Sequence, residues 1–195
     1  MKDPALDTIQ QREAAKFYPE SDGMPMANNT EQFEWIVTLK GNLDILTANN
    51  PNIFVAGDLF WYPVEGNNQI RLAPDVMVAI GRPKGRRGSY MQWVENNIPP
   101  QVVFEILSPG NRKQEMADKF EFFQQYGVEE YYLFDPARGR LNGWLRNEQG
   151  RLAPIADVQN WQSPRLEIRF FLKGLNYKFS TRMAAVFFQR INGEH

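Results

Sequence analysis

The sequence predicts one α/β domain with a mixed central β-sheet flanked by helices. Its 195 residues suit a single domain, and no Pro-, Gly- or Ser-rich linker divides them. Short runs rich in Val, Ile, Phe and Tyr, at 53–62, 70–80, 101–107, 130–134 and 141–146, read as strands. One helical pattern precedes the first run and another separates the third from the fourth, an order that layers helices on a sheet.

The elements follow in order. Residues 18–30 are rich in turn formers and read as a loop. Asn29 can cap the first helix, with Gln32 in the capping-box position three residues on. Phe33, Ile36, Val37, Leu39, Leu43 and Leu46 share one face at helical spacing. Lys40 lies within that face, where its stem can follow the core and its charge reach water. Asn49, Asn50 and Pro51 stop the helix. Ile53–Tyr62 and Ile70–Ile80 are strands joined through Glu65-Gly66-Asn67-Asn68, and a basic loop, Arg82 to Arg87, follows. Gln101–Leu107 is a third strand, broken by Pro109-Gly110. Asn111 caps a helix running to about Tyr126, with Gln114 in the box position and Gly127 as the C′ residue. Glu130–Phe134 and Leu141–Arg146 are further strands. In the tail, Arg165–Phe171 reads as a strand and Thr181–Ile191 as a terminal helix. The expectation is one domain over 1–195, with its core at about 30–136 and a weaker pattern over 150–195.

Composition narrows the chemistry. With 22 basic and 23 acidic residues the net charge is −1, which excludes a globally basic nucleic-acid binder but not a local basic patch. The chain has no cysteine and one histidine, His195. Thiol catalysis, disulfides, Cys/His zinc sites and a Ser-His-Asp triad are thereby removed. A metal held here would have oxygen ligands, which favours Mg²⁺, Mn²⁺ or Ca²⁺. Met1 to Gln11 lacks an apolar signal core, and the longest apolar run, Met183 to Phe188, is too short to span a membrane. A cytoplasmic protein without membrane contact is expected.

Glu105 is the first residue that demands chemistry. In Val102-Val103-Phe104-Glu105-Ile106-Leu107 both strand faces are apolar except for this acid, so the strand reads as central and covered on both sides. A carboxylate there must be paired, protonated or metal-bound; a structural salt bridge or a strand end reaching solvent are the alternatives. Asp75 stands at the mouth of another apolar run, after Pro74, and can equally be a turn acid. If the two segments pair, their carboxylates converge, and like charges so close repel unless a cation lies between them. Two carboxylates with a backbone carbonyl beside them, that of Ile106, form a partial shell for Mg²⁺. Lys119 lies roughly 90° from the middle of the stripe of Met116, Ala117, Phe120 and Phe123, on its boundary, where its stem can carry the ammonium inward. Its other reading is an exposed lysine paired with Glu115.

Taken in order, Ala73-Pro74-Asp75-Val76, Val103-Phe104-Glu105-Ile106-Leu107-Ser108-Pro109, the lysine-bearing helix ending Tyr126-Gly127-Val128-Glu129-Glu130-Tyr131-Tyr132, and Phe134-Asp135-Pro136 resemble the Uma-two family of endonucleases. That family belongs to the PD-(D/E)XK, restriction-endonuclease-like superfamily, and the resemblance covers about 55–136. It implies a restriction-endonuclease-like fold and a Mg²⁺-dependent phosphodiesterase centre, with Mn²⁺ as a substitute. Asp75 and Glu105 would be its acids, with the Ile106 carbonyl as a further metal ligand. The lysine usual two residues after the second acid is replaced by Leu107, and Lys119 on the following helix takes its place. Near the start, Tyr18-Pro19-Glu20-Ser21-Asp22-Gly23 has proline where the family's glutamate stands, so Glu20, one place later, is a candidate extra acid. The family's histidine at the first long helix is absent.

Lys84, Arg86 and Arg87 in the basic loop are candidate contacts for DNA phosphates, a solvated loop being the alternative. Asp58 can support the site or serve the fold, and Trp61, Trp93, Trp144 and Trp161 read as core or interface. The expected activity is hydrolysis of DNA by an endonuclease. The competing readings are a regulatory protein that binds nucleic acid without cutting it, and a self-associating structural domain. In the last, Phe170, Phe171, Phe187 and Phe188 would supply a homodimer interface.

Overall fold

Asn29 starts the first helix, α1 (Thr30–Leu46), its side-chain oxygen accepting the Gln32 backbone N–H at 2.8 Å. The structure, a computed structural model, describes residues 17–21, 23, 27, 29–110, 113–158, 161–172 and 186–190. The buried stripe of α1 is Gln32, Trp35, Ile36, Leu39 and Leu43. Phe33 and Val37, expected inside, are 45% and 53% exposed. The Trp35 indole, packed edge-on against Phe134 at 4.7 Å between ring centres, swings the stripe toward its own side of the helix. Phe33 and Val37 are thereby turned out. Lys40 keeps its charge at the surface, paired with Asp44 one turn on at 2.5 Å.

Strands β1 (Ile53–Gly57), β2 (Trp61–Tyr62), β3 (Val76–Ile80), β4 (Tyr90–Met91) and β5 (Val102–Ile106) follow. Next come helix α2 (Lys113–Gln125) and strands β6 (Glu130–Asp135), β7 (Arg140–Arg146), β8 (Leu152–Pro154), β9 (Ile168–Leu172) and β10 (Val186–Arg190). Six of the strands form one mixed sheet in the order β1-β3-β5-β6-β7-β8. Its one parallel pair is β5 with β6, joined through α2; the other neighbours are antiparallel. The sheet's two faces carry separate cores. Val76, Val78, Val102, Phe104 and Ile106 pack with α1, while Met77, Ala79, Val103 and Tyr131 pack with Phe123 of α2. That alternation covers β5 on both sides, as its apolar sequence requires.

Three expectations change. The run 53–62 is two strands, because the chain turns at Asp58, whose φ of 46° is left-handed, and β2 leaves to pair in parallel with β4. The run 70–80 joins the main sheet only from Val76. Before it, Pro74 has no N–H to donate, and Leu72 instead exchanges backbone hydrogen bonds with Trp61. Residues 186–190, expected to be helical, form β10, antiparallel to β9 with Phe188 opposite Phe170. Val186, Phe187 and Phe188 are β-favouring types that find a partner strand here. Asn111 and the rest of the expected terminal helix lie outside the described residues. Among the described residues, no helix is long and apolar enough to cross a membrane.

The end of α2 is held tightly. Gly127, at φ 97°, allows the Val128 N–H to return to the Phe123 carbonyl at 3.1 Å, closing the helix in a Schellman turn. Arg146 then reaches from β7 to donate to the carbonyls of Phe123, Gln124, Val128 and Gly150. A cation on a helix C-terminus satisfies orphan carbonyls and opposes the helix dipole. Arg146→Ala is expected to cost about 2 kcal/mol of stability, read as a lower urea midpoint with unchanged slope. On the other side of the sheet, fully buried Glu130 accepts from the Tyr132 hydroxyl at 2.9 Å, the Ser163 hydroxyl at 2.5 Å and the Arg165 N–H at 2.7 Å. This network fastens the 161–165 segment to β6.

Candidate active site

β3 and β5 run antiparallel with Val76 opposite Phe104. One further step of that register sets Asp75 opposite Glu105. The Asp75 N–H donates to Glu105 Oε1 at 3.3 Å, and Asp75 Oδ2 accepts the Ile106 N–H at 2.7 Å. The two acids thus continue the ladder with side chains after the backbone pairing stops. Asp58 steadies the same edge: its N–H points at the carbonyls of Pro74 and Asp75, each at 3.2 Å. Gly57 lets α1 come close there, since a Cβ on it would stand 3.2 Å from Ile36.

Lys119 enters from α2. Its Nζ donates to Glu105 Oε2 at 2.6 Å, with the Lys119 side chain 19% exposed and that of Glu105 only 2%. Lys119 is therefore the side chain of this pair that water can reach. Sequence spacing placed Lys119 at the border of the apolar stripe, and that border faces the acids. Leu107, where a strand-borne lysine would stand, directs its N–H to the Phe134 carbonyl at 2.8 Å.

Charge is concentrated and dry here. Burial, and then the neighbouring Asp75, push Glu105 up to about 8 even though Lys119 pulls the other way. Burial also raises Asp75, against the Lys119 charge, the Ile106 N–H and Gln32. For Lys119 burial favours the neutral amine, but Glu105 and Asp75 outweigh it and hold the ammonium above its ordinary range. With both acids ionised, two carboxylates and one ammonium would leave net negative charge in a site that disfavours it, and a divalent ion in place of the proton would relieve it.

The oxygens that could hold such an ion are those of Asp75, Glu105 and the Ile106 carbonyl. All are hard donors, and no group of three or more His, Cys, Asp or Glu side chains suited to a metal exists among the described residues. Water would complete the shell, as Mg²⁺ usually requires. Gln32 was legible in the sequence only as a capping residue, yet its Nε2 stands 3.4 and 3.3 Å from the two Asp75 oxygens and 3.2 Å from the Ile106 carbonyl. The signal was its place on the α1 stripe: 32, 36, 39 and 43 share one face, so a polar residue tops an apolar row.

Other candidates lie elsewhere. Glu20 is exposed and stands over Gly88, near β4. In the basic loop, Arg87 is drawn inward. It donates to Glu95 at 2.6 Å and lies over the Phe54 ring at 3.9 Å, while Arg82 takes the other Glu95 oxygen at 2.7 Å. Lys84 donates to the Thr47 hydroxyl at 3.1 Å, and Arg86 is exposed. The loop thus spends part of its charge on the fold.

The Uma2 family model, described as "Putative restriction endonuclease", matches residues 21–173. Among solved structures, a "putative nuclease belonging to DUF820" from Anabaena variabilis is similar. Its TM-score is 0.51 at 13% identity, over 74% of this chain and 79% of that one. That likeness shows a shared fold, a mixed sheet between helices. No curated protein matches.

Proposed function

This chain belongs to the Uma2 family of restriction-endonuclease-like nucleases, and on that premise we propose that it is a divalent-metal-dependent endonuclease hydrolysing phosphodiester bonds of DNA. The observation that carries the reading is the ion pair of Lys119 with Glu105, formed directly across the strand register from Asp75. Two carboxylates and an amine, from the residue before β3, from β5 and from α2, meet at one point where burial penalises their charge. Asp75, Glu105 and the Ile106 carbonyl would hold Mg²⁺ or Mn²⁺. The ion would supply Lewis acidity toward a phosphoryl oxygen and a more acidic water.

The chain's own residues do the rest. Glu105 keeps the Lys119 amine in place by a charge-assisted hydrogen bond. Lys119, partly open to water, can orient a water molecule for in-line attack or place its positive charge beside the phosphoryl oxygens as negative charge gathers there. The Ile106 N–H fixes one oxygen of the Asp75 carboxylate, which limits how far the acid must reorganise during the reaction. Exposed Arg86 and Lys84 are proposed phosphate contacts outside the centre, each adding salt dependence to binding.

The test is incubation of the purified protein with supercoiled plasmid and with RNA, in Mg²⁺, in Mn²⁺ and in EDTA. Nicked or linear DNA with either ion, and none in EDTA, is the expected result. Absence of product with every divalent cation overturns the proposal; product from RNA alone would overturn its choice of DNA.

A further inference from the structure

One side-chain nitrogen shares three acceptors at the edge of the proposed centre. Gln32 Nε2 lies 3.2 Å from the Ile106 carbonyl oxygen and 3.3 and 3.4 Å from the two Asp75 oxygens. Each distance exceeds the usual N–H···O separation of about 2.9–3.0 Å. The NH₂ group therefore sits among the three oxygens rather than committing its two hydrogens to two of them. That is how an electropositive centre sits among ligands. Gln32 is 5% exposed and Asp75 6%, so the contact is not a chance surface approach. Two of the oxygens come from the residue just before β3, the third from β5 and the amide from α1, so three separate parts of the chain converge on this point.

We infer that Gln32 is a two-way residue of the metal centre, an inference that rests on the metal-dependent reading above. With its nitrogen inward, the amide acts as a built-in stand-in for a cation, holding Asp75 and the Ile106 carbonyl at their mutual spacing. Turned over about its last bond, the same amide presents Oε1 at nearly the same place, and an amide carbonyl is an ordinary oxygen ligand for a hard divalent ion. The neutral side chain serves as donor in one orientation and as ligand in the other. A carboxylate at 32 could only be a ligand, and would add a third negative charge beside Asp75 and Glu105. A methionine of similar length could be neither.

Isothermal titration with Mn²⁺, on wild type, Gln32→Met and Gln32→Glu, reads this without any activity measurement. Gln32→Met is expected to bind Mn²⁺ on the order of 10-fold more weakly, the scale at which loss of a metal-supporting partner shows. Gln32→Glu is expected to bind it more tightly than wild type and to melt lower in EDTA, with Mn²⁺ restoring the difference. Equal affinity in wild type and Gln32→Met overturns the inference, as does a Gln32→Glu protein that binds no tighter. Should Gln32→Met fail to fold, the Gln32→Glu arm decides alone. A wild type that binds no Mn²⁺ instead overturns the metal-dependent reading on which the inference rests.

Discussion

Glu105→Gln should leave a folded protein whose cleavage of DNA falls by on the order of 10³-fold. The substitution keeps the volume of a side chain buried at the centre of the sheet, so it opens no cavity, and it removes the charge that burial disfavours there. What it takes away is the anchor of Lys119 and one of two carboxylates available to a cation. Groups acting on one reacting phosphate are not additive, so Glu105→Gln combined with Lys119→Met should be little worse than either alone. Lys119→Arg is expected to fail nearly as badly, because a planar guanidinium cannot replace a compact ammonium at 2.6 Å from one oxygen. Plasmid-nicking rates, with circular dichroism spectra confirming the fold, check all three. Wild-type rates from Glu105→Gln would remove Glu105 from the chemistry.

The second large effect is in pH. Burial lifts the Glu105 carboxyl from its ordinary 4.5 to about 8 in the folded protein. Between those values the folded chain holds a proton that the unfolded chain has released. Stability without added metal therefore falls as pH rises through this window, by up to about 1.4 kcal/mol per pH unit. Asp75, also raised, adds to the same trend from its lower starting value. Lys119 adds no slope there, since its ammonium is protonated in both states until pH rises well above the window. A divalent ion competes with the proton on Glu105, so Mn²⁺ affinity and cleavage at limiting metal should climb toward about pH 8 and level off above it. Urea midpoints measured in EDTA from pH 5 to 9, with Glu105→Gln beside wild type, check the sign. A wild-type midpoint that rose across that range, or a mutant with the same slope, would contradict it.

Asp75, Glu105 and Lys119 were legible because each breaks a pattern. An acid in a strand that is apolar on both faces, an acid after a proline at a strand's mouth, and a lysine on the edge of a helical stripe each stand out against a periodic background. Gln32 does not, since a glutamine three residues after Asn29 already has a sufficient explanation in capping, and its partners are 43 and 74 residues away. The same holds for Arg87, which looks like solvent-facing charge until Glu95 and Phe54 are seen to receive it. The break between β1 and β2 was hidden because hydrophobicity continues through Asp58 while the backbone turns. Residues 186–190 form a strand because β9 lies alongside, a long-range circumstance that local propensity cannot report.

The amine and the acids ride on different elements, and the parallel β5–β6 pair closes only after α2 has crossed between them. A nascent chain thus exposes both acids to the ribosome's surroundings before anything positions their counterion. On the reading proposed here, hydrolytic competence arrives only when the segment through Asp135 has emerged and docked, so an abortive fragment ending before it would be inert toward its host's own genome.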